Sequence, residues 1–173
     1  LIGHDDAKAL DYFQRALQFD GLKNDDHYEV MNIIAQLHAQ DERYAESLAT
    51  IDRLQAETRT QDPAIAALKG NVLLRLERYP EAIAALRPLV DSPDAKPEYQ
   101  QLLMAAYAES GQGAEAARLA EQIAAATPDD KRLQLNLVAT YLQTDQYDKA
   151  AAVLEALRAK GEFDLQKNDY SRQ

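Results

Sequence analysis

The sequence predicts an all-α solenoid built from antiparallel helix-turn-helix repeats, and three observations carry that reading. First, columns of similar residues recur every 34 positions: Ala82, Ala116 and Ala150; Leu73, Tyr107 and Tyr141; Leu86, Ala120 and Leu154; Leu89, Ile123 and Leu157. A fixed period of that length marks stacked supersecondary units, none of which can bury its apolar face alone. Second, apolar residues make up 46% of the 173-residue chain and are mostly Ala and Leu, with 6 Gly, 6 Pro and no Trp. Strong helix formers therefore fill most positions. Third, the helix breakers fall between the periodic stretches. An array of this kind presents an extended surface, so function is expected on a face rather than in a catalytic pocket.

The elements follow in order. Ala9, Phe13 and Ala16 look like the second helix of a partial repeat over 1–20. Full repeats are expected at 28–61, 63–96, 97–130 and 131–163, and the opening of a further one at 164–173, within a single array over 1–173. Register slips by one residue in the Glu57–Gln61 loop and by four around Gly21–Asp26. Pro63 after Asp62, Pro93 after Ser92 and Pro128 after Thr127 each set a proline beside an N-cap residue and are read as helix starts. Glu77–Pro80, Ser110–Gly113 and Thr144–Tyr147 are short breaks, and such connections favour antiparallel neighbours. Within the last full unit, Leu133, Leu137 and Tyr141 recur every four residues, while Ala150, Val153, Leu154 and Leu157 form a stripe at three and four. Tyr44, Tyr79 and Tyr147 open second helices and are expected to pack at the hairpin bend, with Gly113 taking the place of the ring once.

Charge narrows the partners. With 19 basic and 29 acidic side chains the net charge is −10, and residues 1–62 hold 6 basic against 13 acidic. A phosphate backbone needs a clustered Lys/Arg face, so nucleic acid and anionic lipid are poor candidates. No run approaches the ~18 apolar residues of a membrane span, and a soluble chain without direct membrane insertion is expected. The absence of Cys excludes disulfides and thiolate zinc sites. A start at Leu1 without Met or a signal pattern reads as a fragment or processed form.

Candidate chemistry is sparse. His4, His27 and His38 share no ligand spacing, and His38 occupies the column of Leu73, Tyr107 and Tyr141, where a satisfied interior histidine is expected. His4-Asp5-Asp6 and Asp25-Asp26-His27 read as acidic loop runs rather than metal sites. Gly111-Gln112-Gly113 follows a helix instead of a strand and is no phosphate fingerprint. Carboxylates such as Glu77 and Glu81 sit on solvated faces. No catalytic residue, cofactor site or metal site is assigned, and the chain is read as a non-enzyme.

The segment from Gly70 through Tyr79 and Pro80 to Ala82, and the copy with Tyr107, Gly111, Ala116 and Pro128, carry the small, bulky, aromatic and alanine positions of the tetratricopeptide repeat (TPR), which nearly the whole chain resembles. The resemblance implies a right-handed α-solenoid whose first helices line a concave groove. Carried over by register, that face comprises Glu29, Asn32, Gln36 and Gln40; Ala64, Ala67, Asn71, Leu74 and Arg75; Glu98, Gln101, Ala105, Ala108 and Glu109; and Arg132, Leu135, Ala139, Leu142 and Gln143. It would hold a peptide or helix of a partner protein, the amides serving a peptide backbone and Leu74, Leu135 and Leu142 forming an apolar floor. Asn71 stands where chaperone-tail binders of the family use a carboxylate clamp, but the lysines of that clamp are missing. Alternatives are a self-associating spacer within a longer protein and a regulatory region of an attached enzyme. A weaker resemblance, in the texture of Ala35–Tyr44 and of Gly161–Asp164 leading to Tyr170, is to repeat proteins that accompany TonB and ExbB-type systems of the Gram-negative envelope. It implies a bacterial envelope complex and a periplasmic location, with the cytoplasm as the other compartment.

Overall fold

The computed structural model describes residues 3–18 and 24–161, the side chains of 3–7 and 24 excepted. Residues 21–23 of the register slip around Gly21–Asp26, the repeat opening expected at 164–173 and the side chains of His4-Asp5-Asp6 lie outside them. The described residues form helices and no strand. In chain order these are α1 (Gly3–Ala16), α2 (Asn24–Gln40), α3 (Tyr44–Thr58), α4 (Pro63–Arg75), α5 (Tyr79–Val90), α6 (Pro97–Glu109), α7 (Gly113–Ala126), α8 (Lys131–Gln143) and α9 (Tyr147–Ala159). They fall into two compact units, and the division runs through α6 between Ala106 and Tyr107. In the first unit α2 pairs with α3 and α4 with α5, while α1 packs on α2, α3 on α4, and α2 also meets α4. In the second, α8 pairs with α9 and packs on α7. Both units are thus all-α helical repeats of the solenoid class.

The repeating columns are contact positions. Ser47, Ala82, Ala116 and Ala150 are buried to within 1% of complete. Side chains this small let paired helices approach closely. Ser47, the polar member, donates its hydroxyl to the Ala35 carbonyl at 2.7 Å, so the hydroxyl costs little to bury. Across the α4/α5 pair the fit is tighter: a Cβ added to Gly70 would overlap the Leu86 isobutyl group, which is itself fully buried. Only hydrogen fits there. At Gly113 a Cβ would lie 2.9 Å from both Cβ and Cγ2 of Thr144, so the missing ring has its physical reason in the end of α8. Tyr44 and Tyr79 are half-buried, whereas Tyr147 is 60% exposed and bonds Asp145 at 2.6 Å, so the bend tyrosines do not pack alike.

All four hairpin turns share one geometry. The N–H groups of Arg43, Arg78, Gln112 and Gln146 donate back to the carbonyls of His38, Leu73, Tyr107 and Tyr141 at 2.8 to 2.9 Å. One residue earlier, Glu42, Glu77, Gly111 and Asp145 donate to Ala39, Leu74, Ala108 and Leu142. These paired bonds are a Schellman stop, which puts the residue after the cap in the left-handed region. Glu42, Glu77, Gly111 and Asp145 have φ of 60°, 58°, 75° and 58°. Glycine therefore occupies one of four positions that favour it, and three acidic residues adopt the same strained conformation.

Helix starts differ from expectation at two of three prolines. Pro63 does open α4, where Asp62 caps by accepting from Ala64 N–H at 2.8 Å. Pro93 instead lies in a turn closed by Ala95 N–H on the Ser92 carbonyl, and α6 begins at Pro97. Pro128 lies in the equivalent turn, closed by Asp130 N–H on the Thr127 carbonyl, and Asp130 caps α8 through Arg132 and Leu133 N–H. The ring's fixed φ suits the second position of a β-turn as well as a first helical turn. Here the turn takes it.

Two buried polar groups distinguish the units. In the second, Glu121 on α7 accepts from the Tyr141 hydroxyl at 2.6 Å and from Lys149 at 3.1 Å, tying α7, α8 and α9 together. Burial, then the Glu121 carboxylate, pushes the Tyr141 phenol up to about 12. In the first, His38 is 4% exposed and its Nδ1 finds no hydrogen-bond partner, which corrects the expectation of a satisfied histidine. Burial, then the charge of Arg43, holds its pKa below the ordinary value. The neutral ring is what the α2/α3 pair accommodates.

Two stability outcomes follow from these features. Replacing Glu77 by Gly relieves the left-handed strain against a smaller entropy cost and should raise unfolding stability by about 0.5–1 kcal/mol, while Gly111→Ala should lower it by about 1 kcal/mol. Chemical denaturation followed by circular dichroism measures both, and a Glu77→Gly variant no more stable than the parent would refute the strain. For His38, the folded pKa lies below the unfolded one, so its contribution is complete above the unfolded value of about 6.5 and is lost as pH falls from there. His38→Leu should gain about 1 kcal/mol at pH 8 and widen its lead by up to about 1.4 kcal/mol per pH unit below 6.5. Equal pH slopes for parent and variant would contradict this.

Candidate binding face

A first helix that buries one flank against its partner leaves the other to solvent, and the expected face divides accordingly. On α2 Gln36 and Gln40 are exposed and Asn32 half-buried, with Gln36 Nε2 donating to Asn32 Oδ1 at 2.9 Å. On α4 Asn71 and Arg75 are exposed and Leu74 is half-buried, whereas Ile65, Val72 and Leu73 on the opposite flank are buried. Gln101 and Ala105 of α6 are exposed. Because α2 meets α4, the structure brings the first six of these residues onto neighbouring helices. In the second unit Arg132 is exposed, Leu135 half-buried and Leu142 49% exposed along α8.

Arg75 on the first unit's face is held against Tyr44. Its Nε donates to the Tyr44 hydroxyl at 3.1 Å, and its guanidinium carbon lies 5.3 Å from the centre of the Tyr44 ring. The hydrogen bond to Tyr44 raises the Arg75 pKa further, with the nearby Glu42 charge acting in the same direction. Tyr44, read from the sequence as a bend residue alone, therefore also positions a cation on α4. The missed signal is a spacing of 31 residues between an aromatic opening one second helix and an arginine closing the next first helix.

Other polar contacts work as ties between helices. Tyr28 on α2 donates its hydroxyl to Asp62, the residue that caps α4, and burial followed by that bond raises the phenol pKa. His27 bonds Glu57 at 2.7 Å, and Glu57 also accepts from Arg53 at 2.7 Å. Bonds from Arg53 and then His27 hold the Glu57 carboxyl below its usual range. Among the described residues no three His, Asp or Glu side chains converge as a metal site, and no helix is long and apolar enough to cross a membrane.

A cavity of about 1210 Å³ opens in the first unit beside Ala66, Leu73, Ala85 and Leu89, with Tyr99 and Lys69 at its wall. Lys69 reaches to α3, pairing with Asp52 at 2.7 Å and Gln55 at 2.9 Å. Of the expected face only Ala64 lines it. The cavity is thus separate from the amide and arginine positions, and the sequence pattern gave no sign of it because small side chains on α4 and α5 read equally as packing.

With the geometry established, the likeness to known proteins is informative. Residues 107–166 match the tetratricopeptide repeat family. No curated protein matches the chain. Among solved structures, MamA from Desulfovibrio magneticus RS-1 is 19% identical at a TM-score of 0.72, over 96% of this chain and 89% of that one. YrrB, described as a TPR protein with an unusual peptide-binding site, is 18% identical at 0.69, over 91% of this chain and 79% of that one. A tetratricopeptide repeat protein from Parabacteroides merdae is 15% identical at 0.67, and the likeness covers 90% of this chain but 59% of that one. At these identities the structures speak to fold, and the sequence match speaks to family. The sequence match therefore places residues 107–166 in the tetratricopeptide repeat family, and the solved structures show the same helical-repeat fold over nearly the whole chain.

Proposed function

We propose that the protein is a non-enzymatic interaction scaffold that holds a peptide or helix of a partner protein on the exposed flank of its first helices. The observation that carries the proposal is the division of α4, which buries Ile65, Val72 and Leu73 while leaving Asn71 and Arg75 to solvent beside a half-buried Leu74. Amide donors and acceptors next to an apolar side chain suit an extended or helical backbone. YrrB, of like fold, has a peptide-binding site, which supports the same use here. The face positions of each unit, Asn32 to Ala105 in the first and Arg132 to Leu142 in the second, belong to the proposal, as do their partners. Self-association is a second reading, supported by the exposed Leu142 and Tyr147 on the second unit. A periplasmic envelope complex beside a TonB or ExbB-type system rests on the sequence texture of Ala35–Tyr44, and localisation of the tagged full-length protein decides it.

Photo-cross-linking tests the scaffold directly. A cross-linker placed at Asn71 should capture a partner from the native source, and one at the exposed Ala49 of α3 should not. The pair Gln36→Ala and Asn71→Ala should weaken that complex by roughly tenfold, about one lost hydrogen bond net, with thermal unfolding unchanged. Equal capture at both positions, or none, would remove the face from the function.

A further inference from the structure

We infer that Arg75 selects partner segments carrying an acidic side chain, an internal Asp or Glu whose carboxylate docks on the guanidinium that Tyr44 holds in place. The inference rests on the reading of α2 and α4 as a peptide-binding face. Tyr44 engages Arg75 through Nε and through its ring, at 3.1 Å and 5.3 Å, and the two terminal nitrogens form no hydrogen bond within the described residues. A guanidinium held by its Nε and stacked on a ring is directed with its two terminal nitrogens outward, so less ordering is needed to form a bidentate pair. Glu42 lies close enough to favour the charged form, yet makes no ion pair that would occupy the fork.

Arg75 is also the lone cation among the expected face positions of α2, α4 and α6, where Glu29 and Glu98 are exposed carboxylates. Asp25 and Asp26 extend the negative charge at the start of α2. An acidic side chain is repelled elsewhere on this face and favoured at one point, which turns a single charge into a register mark. Asn71, one turn earlier on α4 and also exposed, is placed to bond the backbone flanking that acid.

Phage-displayed 12-residue peptides, fused through their C-termini so that no terminal carboxylate is presented, are selected on the purified full chain and on Arg75→Gln. Arg75 is exposed, so the variant should unfold at the parent temperature. Peptides selected on the parent should concentrate Asp or Glu at one position, and selection on Arg75→Gln should lose that preference. For the best peptide, Arg75→Gln and replacement of the peptide acid by its amide should each weaken binding about tenfold or more, and together little further. Tyr44→Phe keeps the ring but removes the hydroxyl and should give an intermediate loss, while Arg75→Lys should restore only part of the affinity. Selected peptides without an acidic position, or with the same one on Arg75→Gln, would overturn the inference and leave the peptide-binding reading standing. Failure to select any peptide would overturn both.

Discussion

The closeness with which the two helices of a pair can meet governs the rest of the structure. At the crossing, Ser47, Ala82, Ala116 and Ala150 leave almost no surface to solvent, and Gly70 has no room for a methyl against Leu86. Burying so little side chain per position contributes modestly at each one, so the pairs depend on the larger side chains brought together around the crossing, such as Ile51, Leu54, Leu73 and Leu86, all buried. Widening the crossing by one methylene would separate these contacts, which is why the small residues keep a fixed spacing along the chain.

The same constraint creates the surface available for function. Because each first helix is fixed by one flank, its other flank is presented without having to support the core. Gln36, Gln40, Asn71 and Arg75 are exposed there, so their chemistry is not constrained by the core. The ordered contact of Arg75 with Tyr44 shows the two roles meeting: a ring near the hairpin bend also sets the geometry of a charged group facing outward.

What the sequence made legible was whatever repeats. The alanine and bulky columns, the short hairpin turns and the helical pairs could be read from spacing because every unit faces the same packing problem. The departures were not legible by the same means. Pro93 and Pro128 satisfy the requirements of a helix start and of a β-turn equally, and only the capping residue, Asp130 for α8, decides between them. His38 reads as one more interior residue of its column, and its unpartnered Nδ1 depends on what surrounds it in space. Bonds such as Tyr28 to Asp62 and Arg75 to Tyr44 join polar side chains that lie outside the repeating apolar columns, so the hydrophobic pattern does not mark them. The expected face was placed by register alone, and side-chain partners supplied its chemistry.

Gly113 and Thr144 set a limit on treating such units as interchangeable parts. The space that a tyrosine occupies at the start of α3 and α5 is taken, at the start of α7, by the Thr144 side chain at the end of α8. The two residues form a matched lock spanning neighbouring hairpins. A unit grafted from elsewhere in the chain would bring its ring into an occupied site unless its neighbour were exchanged with it, so the smallest transplantable piece of this region is a pair of units rather than one.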